Sequence, residues 1–333
     1  MLDWTDRHCR FFHRRLSRSA LLYTEMIPSA ALNRGKAAHL LDHDPDEHPL
    51  ALQLGGSDPS ELAAAARIGA RFGHCEINLN CGCPSERVQK GAFGACLMAE
   101  PRLVADCVKA MRDVVDVPVT VKHRIGLDRD ESYEFVRDFV GTVALAGCRV
   151  FIVHARNAWL KGLSPKQNRT VPPLRPQVVR RLKQDFPDLV FVLNGGLRDH
   201  EQIRAQAEGV DAVMVGRAAY ENPWMLASCD SLYFGQDDPI ESRECVVESM
   251  RAYAEVQVAR GVPLRSITRH MLTLYNGCPG ARRWRRTLSD PLALATAGPA
   301  LLSLAIPTKA GAHPQEHADI DDDRERDLER RES

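Results

Sequence analysis

Short runs of apolar and β-branched residues alternate along the chain with segments whose apolar residues recur at helical spacing. Such runs predict buried strands, and strands that alternate with helices are typical of a parallel sheet with helical crossovers. The predicted strands are Leu21–Thr24, Leu50–Leu54, Glu76–Leu79, Val117–Lys122, Val150–Val153, Leu189–Leu193 and Ala212–Val215.

A closed (β/α)8 barrel needs eight strands, and the pattern supplies seven. The chain opens with a predicted loop and helix over Asp3–Leu16. We therefore predict an α/β fold, a (β/α)8 TIM barrel whose first strand lies upstream of Met1. Asp58 and Pro59 then mark the start of one crossover helix, as an N-cap residue followed by proline at the first helical position.

After Trp224 the pattern predicts helices alone. One helix starts near Asp238–Pro239 and ends before Gly261, and a second carries Leu264 to Leu274. We predict a barrel domain over residues 1–233, a small helical domain over 234–305, and an acidic, disordered tail over 306–333.

The charge of this 333-residue chain is balanced, with 44 basic and 44 acidic residues, but it is unevenly distributed. Two stretches, Lys161–Gln184 and Arg265–Arg286, contain seven and six Lys or Arg residues and no acid. Glu316–Ser333 contains nine acids and four arginines. The stretches are either solvated surface or two patches that bind a polyanion, and the sequence leaves both open.

The remaining composition favours a cytoplasmic protein. No stretch approaches the ~20 apolar residues of a membrane helix, and Met1–Arg15 lacks the apolar core of a signal peptide. The ten cysteines are spread through a large chain, so reduced thiols are expected.

Polar residues follow six of the seven predicted strands at the end where barrel enzymes place their chemistry. Two of these ends are rich in glycine and suit a phosphate, although tight turns alone would also require glycine. A lysine inside a barrel mouth needs an anionic partner, which a reduced flavin would supply. The residues are Gln53, Asn78, Asn80, Lys122, His154, Asn194, Gly195, Gly196, Gly216 and Arg217.

The segment Asn80–Ser85 is rich in cysteine and follows the third strand. A metal site would recruit His74, Cys75, Cys81, Cys83 and Cys96, but their spacings match no Cys-x-x-Cys pair. We therefore predict no metal, and favour a cysteine at the barrel mouth that acts as general acid or nucleophile.

These residues together resemble the tRNA-dihydrouridine synthases, most closely those of the A type. The resemblance extends from Met1 to about Ser289. Its motifs are Met1–Arg7, Leu52–Gly56, Glu76–Asn80, Gly82–Ser85, Gly94–Met98, His154–Arg156, Leu163–Lys166, Asn194–Gly196 and Met214–Arg217.

The resemblance implies an FMN-dependent barrel that reduces the C5=C6 bond of uridine in the tRNA D-loop, at positions 20 and 20a, with NADPH as reductant. Hydride from flavin N5 would add at C6, and Cys83 would donate the proton to C5. The implied FMN-binding residues are Met1, Gln53, Lys122, His154, Asn194, Gly195, Gly196, Gly216 and Arg217. The implied tRNA-binding residues are Asn80, Lys166, Arg169, Arg282 and Arg285.

Two alternatives stay open. Loss of the first strand, of which only Met1 remains, would leave a tRNA-binding protein with impaired catalysis. An FMN barrel that acts on a small pyrimidine is the other, although a small substrate needs no basic helical domain. We expect a monomer that binds no membrane.

Overall fold

A computed structural model describes residues 1–307 of the protein. Seven parallel strands form one curled sheet in which each strand pairs with its neighbour in the chain. The strands are β1 (Leu22–Pro28), β2 (Leu50–Gly55), β3 (Glu76–Cys81), β4 (Val119–Arg124), β5 (Val150–His154), β6 (Val190–Asn194) and β7 (Ala212–Met214).

The sheet confirms the predicted fold class, because its parallel strands alternate with helices as in a (β/α)8 barrel. Each predicted run corresponds to one strand. Within residues 1–307, β1 and β7 form the two edges of the sheet and do not pair with each other. Several strands extend past the predicted ends, so Lys122 lies within β4, two residues before its end.

Helices connect the strands and continue beyond them. Asp58 caps the first turn of helix α3 (Pro59–Arg71), since its side chain accepts a hydrogen bond from the Glu61 N–H at 2.8 Å, as predicted for an N-cap. The helices are α1 (Arg7–Leu16), α2 (Ser29–Asn33), α3 (Pro59–Arg71), α4 (Glu86–Lys90), α5 (Pro101–Arg112), α6 (Tyr133–Leu145), α7 (Pro176–Asp185), α8 (His200–Ala207), α9 (Arg217–Glu221), α10 (Arg243–Ala259), α11 (Leu264–Thr268), α12 (Ala281–Ser289), α13 (Pro291–Ala297) and α14 (Leu301–Ala305).

The apolar side chains form two clusters. The barrel core lies between the strands and helices α3, α5 and α6, and it includes Leu79, Val121 and Phe151. The helical core lies between α1 and the C-terminal helices, where Phe12 and Trp284 are fully buried. Helix α1 therefore packs with the C-terminal helices, although it precedes the whole sheet in the chain.

The C-terminal helices differ from the predicted bounds at two points. Helix α10 begins at Arg243 rather than near Asp238, because the Ser242 side chain accepts the Cys245 N–H at 3.2 Å and caps it. Helix α11 ends at Thr268, while Met271 and Leu274 remain buried in the turns that follow. The predicted tail from residue 308 onward lies outside the described residues.

No single helix in residues 1–307 is both long and apolar enough to cross a membrane; one bent pair, Ala281–Ser289 with Pro291–Ala305, meets the length and composition alone.

Candidate active site

The sheet register brings the predicted site residues side by side. Asn80 on β3 is the neighbour of Lys122 on β4, and His154 on β5 is the neighbour of Asn194 on β6. Gln53 on β2 pairs in register with Asn78 on β3. Because the carboxyl ends of parallel strands meet at one edge, these side chains gather at the mouth of the barrel.

Side-chain amides link the strands on one side of the mouth. The Asn80 amide donates to Gln53 Oε1 at 2.8 Å, and the Gln53 amide donates to Asn78 Oδ1 at 2.9 Å. The Asn78 amide then donates to Thr120 Oγ1 at 2.8 Å, and Thr120 donates to Glu76 at 2.7 Å. A connected network of this kind fixes the orientation of each amide.

The thiol of Cys83 lies on the loop after β3, and it is partly exposed. Asn80 Oδ1 accepts hydrogen bonds from the backbone N–H groups of Gly82 and Cys83, both at 3.0 Å. Cys83 Sγ lies 3.6 Å from the hydroxyl of Ser85, which caps α4. Hydrogen bonds from its backbone therefore hold the loop at a partly exposed residue.

Lys122 is the central cation of the mouth. Its ammonium group donates to Asn194 Oδ1 at 3.2 Å, and no ion pair joins it to a carboxylate within residues 1–307. Burial, together with the positive charge of Arg124, lowers the Lys122 pKa to about 8. Buried Arg10 differs, because it is paired with Glu47 at 2.7 Å. A half-buried lysine whose partner within residues 1–307 is an amide suits an anionic ligand.

His154 stands beside this lysine in a positive environment. Burial lowers its pKa well below the usual range, and the charges of Arg124, Lys122, Arg156 and Arg217 act in the same direction. The imidazole is therefore neutral at pH 7. Cations at or just after the ends of β4, β5 and β7 therefore all act on this one imidazole.

The glycines after β6 permit a close approach between this loop and the site. Gly195 and Gly196 have φ values of 112° and 76°, which residues other than glycine rarely adopt. A Cβ on Gly195 would lie 2.7 Å from the ring of His154. A Cβ on Gly216, the residue before α9, would meet no atom within 4 Å, so its backbone borders open space.

Met1 lies at the same mouth. Its carbonyl oxygen accepts the Trp4 and Thr5 N–H groups at 3.0 Å, which forms a turn. The charges of Glu25 on β1 and Lys122 act on its amino group. The structure thus places Met1 beside the residues with which it was grouped from the sequence.

Arg124 is a site residue that the sequence analysis missed. It is buried, and it donates to the Gly82 carbonyl at 3.1 Å and to the Asn168 carbonyl at 3.0 Å. It therefore ties the Cys83 loop to the loop after β5. One signal was available in the sequence. Arg124 lies two residues after Lys122 in the same strand, and residues i and i+2 of a strand point to the same face.

The predicted tRNA-binding residues lie on two separate elements. In the loop after β5, Lys166 precedes a short 3-10 helix and Arg169 is its last residue, next to the Asn168 carbonyl that Arg124 holds. Arg282 and Arg285 lie on α12, where Arg282 is exposed and Arg285 donates to Asn276 at 3.2 Å. Asn80, the fifth, faces the barrel mouth rather than either element.

The part of the chain that the structure describes contains no group of three His, Cys, Asp or Glu side chains placed to hold a metal ion. Cys81 is fully buried in the barrel core, whereas Cys83 is partly exposed.

The sequence is similar to proteins of known name over most of its length. It is 56% identical over 306 residues to a tRNA-dihydrouridine(20/20a) synthase of Synechocystis sp., which covers 92% of each chain. It is 56% identical over 291 residues to the protein of that name from Escherichia coli K12, covering 87% of this chain and 84% of that one. The Vibrio parahaemolyticus protein of that name is 55% identical, with 87% and 89% covered.

A solved structure with the same fold is 2-naphthoyl-CoA reductase in complex with 2-naphthoyl-CoA. It has a TM-score of 0.51 and 9% sequence identity, and the match covers 68% of this chain and 47% of that one. At this identity the likeness concerns the fold alone. The family model described as dihydrouridine synthase matches residues 1–309, nearly the whole length. The chain therefore belongs to the dihydrouridine synthase family of enzymes.

Proposed function

We propose that this protein reduces the C5=C6 bond of uridine in the D-loop of tRNA, at positions 20 and 20a. The observation that carries the proposal is that the partly exposed Cys83, on a loop held by Asn80, lies beside Lys122 and the buried Arg124. The names of the 55–56% identical relatives support the substrate and the positions.

FMN fits the residues at the barrel mouth. Within residues 1–307 no carboxylate pairs with Lys122, and the backbone of Gly216 borders open space beside Arg217. We propose that Lys122 and Gln53 face the flavin ring, while the glycine-rich ends of β6 and β7 face the phosphate. When bound, FMN would supply the hydride and would itself be reduced by NADPH. The proposed set is Met1, Gln53, Lys122, His154, Asn194, Gly195, Gly196, Gly216 and Arg217.

The chain itself supplies the proton. Uridine C6 is conjugated to the C4 carbonyl, so hydride addition at C6 places negative charge on C5 and O4. The Cys83 thiol is proposed to protonate C5 as a general acid. Asn80 holds the backbone of the Cys83 loop through two N–H groups, and Arg124 holds the neighbouring carbonyl. Proton delivery therefore depends on a loop that two polar side chains fix.

The target base must leave its stack to reach a barrel mouth, and basic groups must hold the RNA meanwhile. We propose that Lys166 and Arg169 bind tRNA beside the mouth, that Arg282 and Arg285 bind it on the helical side, and that Asn80 contacts it at the centre. This assigns catalysis and three of the five tRNA contacts to residues 1–233, and the other two contacts to the helical tRNA-binding domain, residues 234–305. We propose that the protein is a monomer and acts in the cytoplasm.

The test uses the full-length purified protein, an unmodified tRNA transcript and NADPH. We expect flavin absorbance in the protein, tRNA-dependent NADPH oxidation, and dihydrouridine mapped to positions 20 and 20a. A transcript with cytidine at both positions is the control, and it should leave NADPH oxidation at the level without tRNA. A colourless protein that binds tRNA without reducing it would contradict the proposal, as would turnover of free uridine in preference to tRNA.

A further inference from the structure

The loops after β4 and β5 enclose a cleft that the proposed chemistry does not use. Its volume is about 460 Å³, within the range of small-ligand sites. It is lined by Asp128, Arg129, Trp159, Lys161 and Gly162. Lys161 is the first residue of the acid-free stretch identified in the sequence.

Backbone contacts fix the two walls of this cleft to each other. Leu127 and Ala158 form an isolated parallel bridge, and the Asp128 N–H donates to the Ala158 carbonyl at 2.8 Å. The Asp128 side chain accepts the Leu160 N–H at 2.8 Å. That bond uses one oxygen of the Asp128 carboxylate, the one acid among the lining residues, which also include the two cations Arg129 and Lys161. The lining therefore has one more cation than acid.

Trp159 provides a flat apolar surface inside the cleft. Its ring is partly exposed, and the Arg129 guanidinium carbon lies 5.1 Å from the ring centre. Its backbone is held on both sides by Asn168, which accepts the Trp159 N–H at 2.8 Å and donates to the Trp159 carbonyl at 2.9 Å. Because Asn168 binds the backbone of Trp159 and not its ring, a change of the side chain leaves these two hydrogen bonds in place.

The cleft lies next to the Cys83 loop. The Gln89 amide donates to the Pro84 carbonyl at 2.8 Å and to the Leu160 carbonyl at 3.0 Å, which joins the two loops. A second cleft, lined in part by Pro84 and Gly162, lies between them. Gly162 borders both clefts, so the cleft beside Pro84 adjoins the one that contains Trp159.

We propose that this cleft binds an unpaired nucleotide of the tRNA, close to the uridine that is reduced. Its base stacks with Trp159, and its phosphates contact Arg129 and Lys161. An aromatic ring with adjacent cations is the combination that binds single-stranded nucleic acid without reading its sequence. The inference rests on the proposed function, because it takes tRNA to be the substrate.

The experiment compares tRNA affinity for Trp159→Ala, Trp159→Phe and wild type. We expect Trp159→Ala to weaken binding about tenfold, and Trp159→Phe to restore most of it, because stacking needs an aromatic face. The loss should be equal at all salt concentrations, whereas Lys161→Ala should reduce the salt slope by about one. Flavin absorbance should stay unchanged in each variant, which checks that the barrel is intact.

Tryptophan fluorescence gives a direct readout. The chain has four tryptophans, and Trp224 is a matched control because Arg243 covers its ring at 4.3 Å, away from the cleft. We expect tRNA to quench the tryptophan fluorescence of wild type and of Trp224→Phe. The fluorescence of Trp159→Phe should be quenched distinctly less, although that variant still binds tRNA.

Each other result overturns the inference. Wild-type affinity in Trp159→Ala, with dihydrouridine still formed, would refute the nucleotide site and leave the proposed function standing. A raised KM for NADPH with unchanged tRNA affinity would assign the cleft to the dinucleotide instead. If wild type neither binds tRNA nor forms dihydrouridine, the proposed function fails and this inference with it.

Discussion

The side-chain oxygen of Asn80 accepts the backbone N–H of Cys83 at 3.0 Å, so a residue near the end of β3 holds the backbone of the cysteine that follows the strand. The same side chain donates to Gln53 at 2.8 Å. One amide therefore connects the proposed proton donor with a proposed cofactor contact. Its orientation is set by the network that continues through Asn78.

Cys83→Ala removes the proposed acid while leaving the cation group of the mouth intact. We expect a protein that still carries flavin and binds tRNA, with dihydrouridine formation reduced by about 10²–10⁴-fold, the range for loss of a general acid. Single-turnover reduction of tRNA measures this step. Cys96→Ala, which removes another partly exposed thiol of the same region, should stay near wild type. Equal rates for the two variants would refute the assignment.

Asn80→Ala separates a positioning role from tRNA contact. Loss of the acceptor for the Gly82 and Cys83 N–H groups should displace the thiol, so we expect kcat to fall by about 10²-fold. If Asn80 acts only by positioning, the Kd for tRNA will change less than twofold. A raised Kd with unchanged kcat would instead make it chiefly a tRNA contact.

Lys122→Met tests the cost to stability of a half-buried cation. The folded protein holds the Lys122 pKa at about 8 because burial disfavours the charged form, against 10.5 for an ordinary lysine. Methionine fills similar space without charge, so we expect the flavin-free variant to have a higher Tm than wild type at pH 7. Its flavin content should fall sharply. Lys109→Met, an exposed lysine on α5, should change neither.

The difference in stability between Lys122→Met and wild type should depend on pH. Between pH 8 and 10.5 the unfolded wild type binds a proton at this lysine that the folded form does not, so wild-type stability rises with pH. The stability advantage of Lys122→Met should therefore be largest below pH 8 and shrink as pH rises to 10.5. Urea unfolding of flavin-free protein at pH 7 and pH 10 measures it. An advantage independent of pH would show that Lys122 is not the cause.

The two basic elements should contribute separately to the salt dependence of tRNA binding. Each Lys or Arg that contacts phosphate releases a counterion, so Lys166→Ala and Arg282→Ala should each lower the slope of log Kd against log salt by about one. The double variant should lose about two. Lys109→Ala is the control, because that residue lies on an outer crossover helix and pairs with Asp113. An unchanged slope would make the element a solvated surface.

The strands and the polar residues after them could be predicted because both are local signals. An apolar run and the residue that ends it, such as Lys122 in β4, are adjacent in the chain. Parallel pairing then brings those ends together without further information. The charge of Arg124 was visible too, but its role depends on carbonyls 42 and 44 residues away.

Other features depended on contacts that the chain pattern does not encode. The early end of α11 leaves His270 buried against Asp6, 264 residues earlier in the chain. The cleft beside Trp159 depends on a bridge between two loops that have no periodic pattern. Tertiary contacts of this kind override local helix propensity, and the local sequence does not predict them.

Asp6 joins α1 to the helical core. It caps α1 by accepting the His8 and Cys9 N–H groups at 3.0 Å, and its carboxylate also accepts from Arg269 at 2.5 Å and His270 at 3.0 Å. Burial alone would raise its pKa, but the hydrogen bonds and charge of His270 and Arg269 outweigh it and hold the Asp6 pKa well below its usual range.

Asp6→Asn keeps a side chain that caps helices well. It removes the charge and replaces one oxygen with an NH2 group, which cannot accept from Arg269 or His270. We expect the free energy of unfolding at pH 7 to fall by about 1–3 kcal/mol, as for hydrogen bonds to a charged group. The lowered pKa stabilises the fold fully above about pH 4 and is lost as pH falls through the folded pKa, so the two proteins should converge in acid. Asp58→Asn, an exposed N-cap of α3 bound to no cation, should lose little at either pH. A difference between Asp6→Asn and wild type that persists unchanged in acid would show that the carboxylate charge does not hold α1 to the helical core.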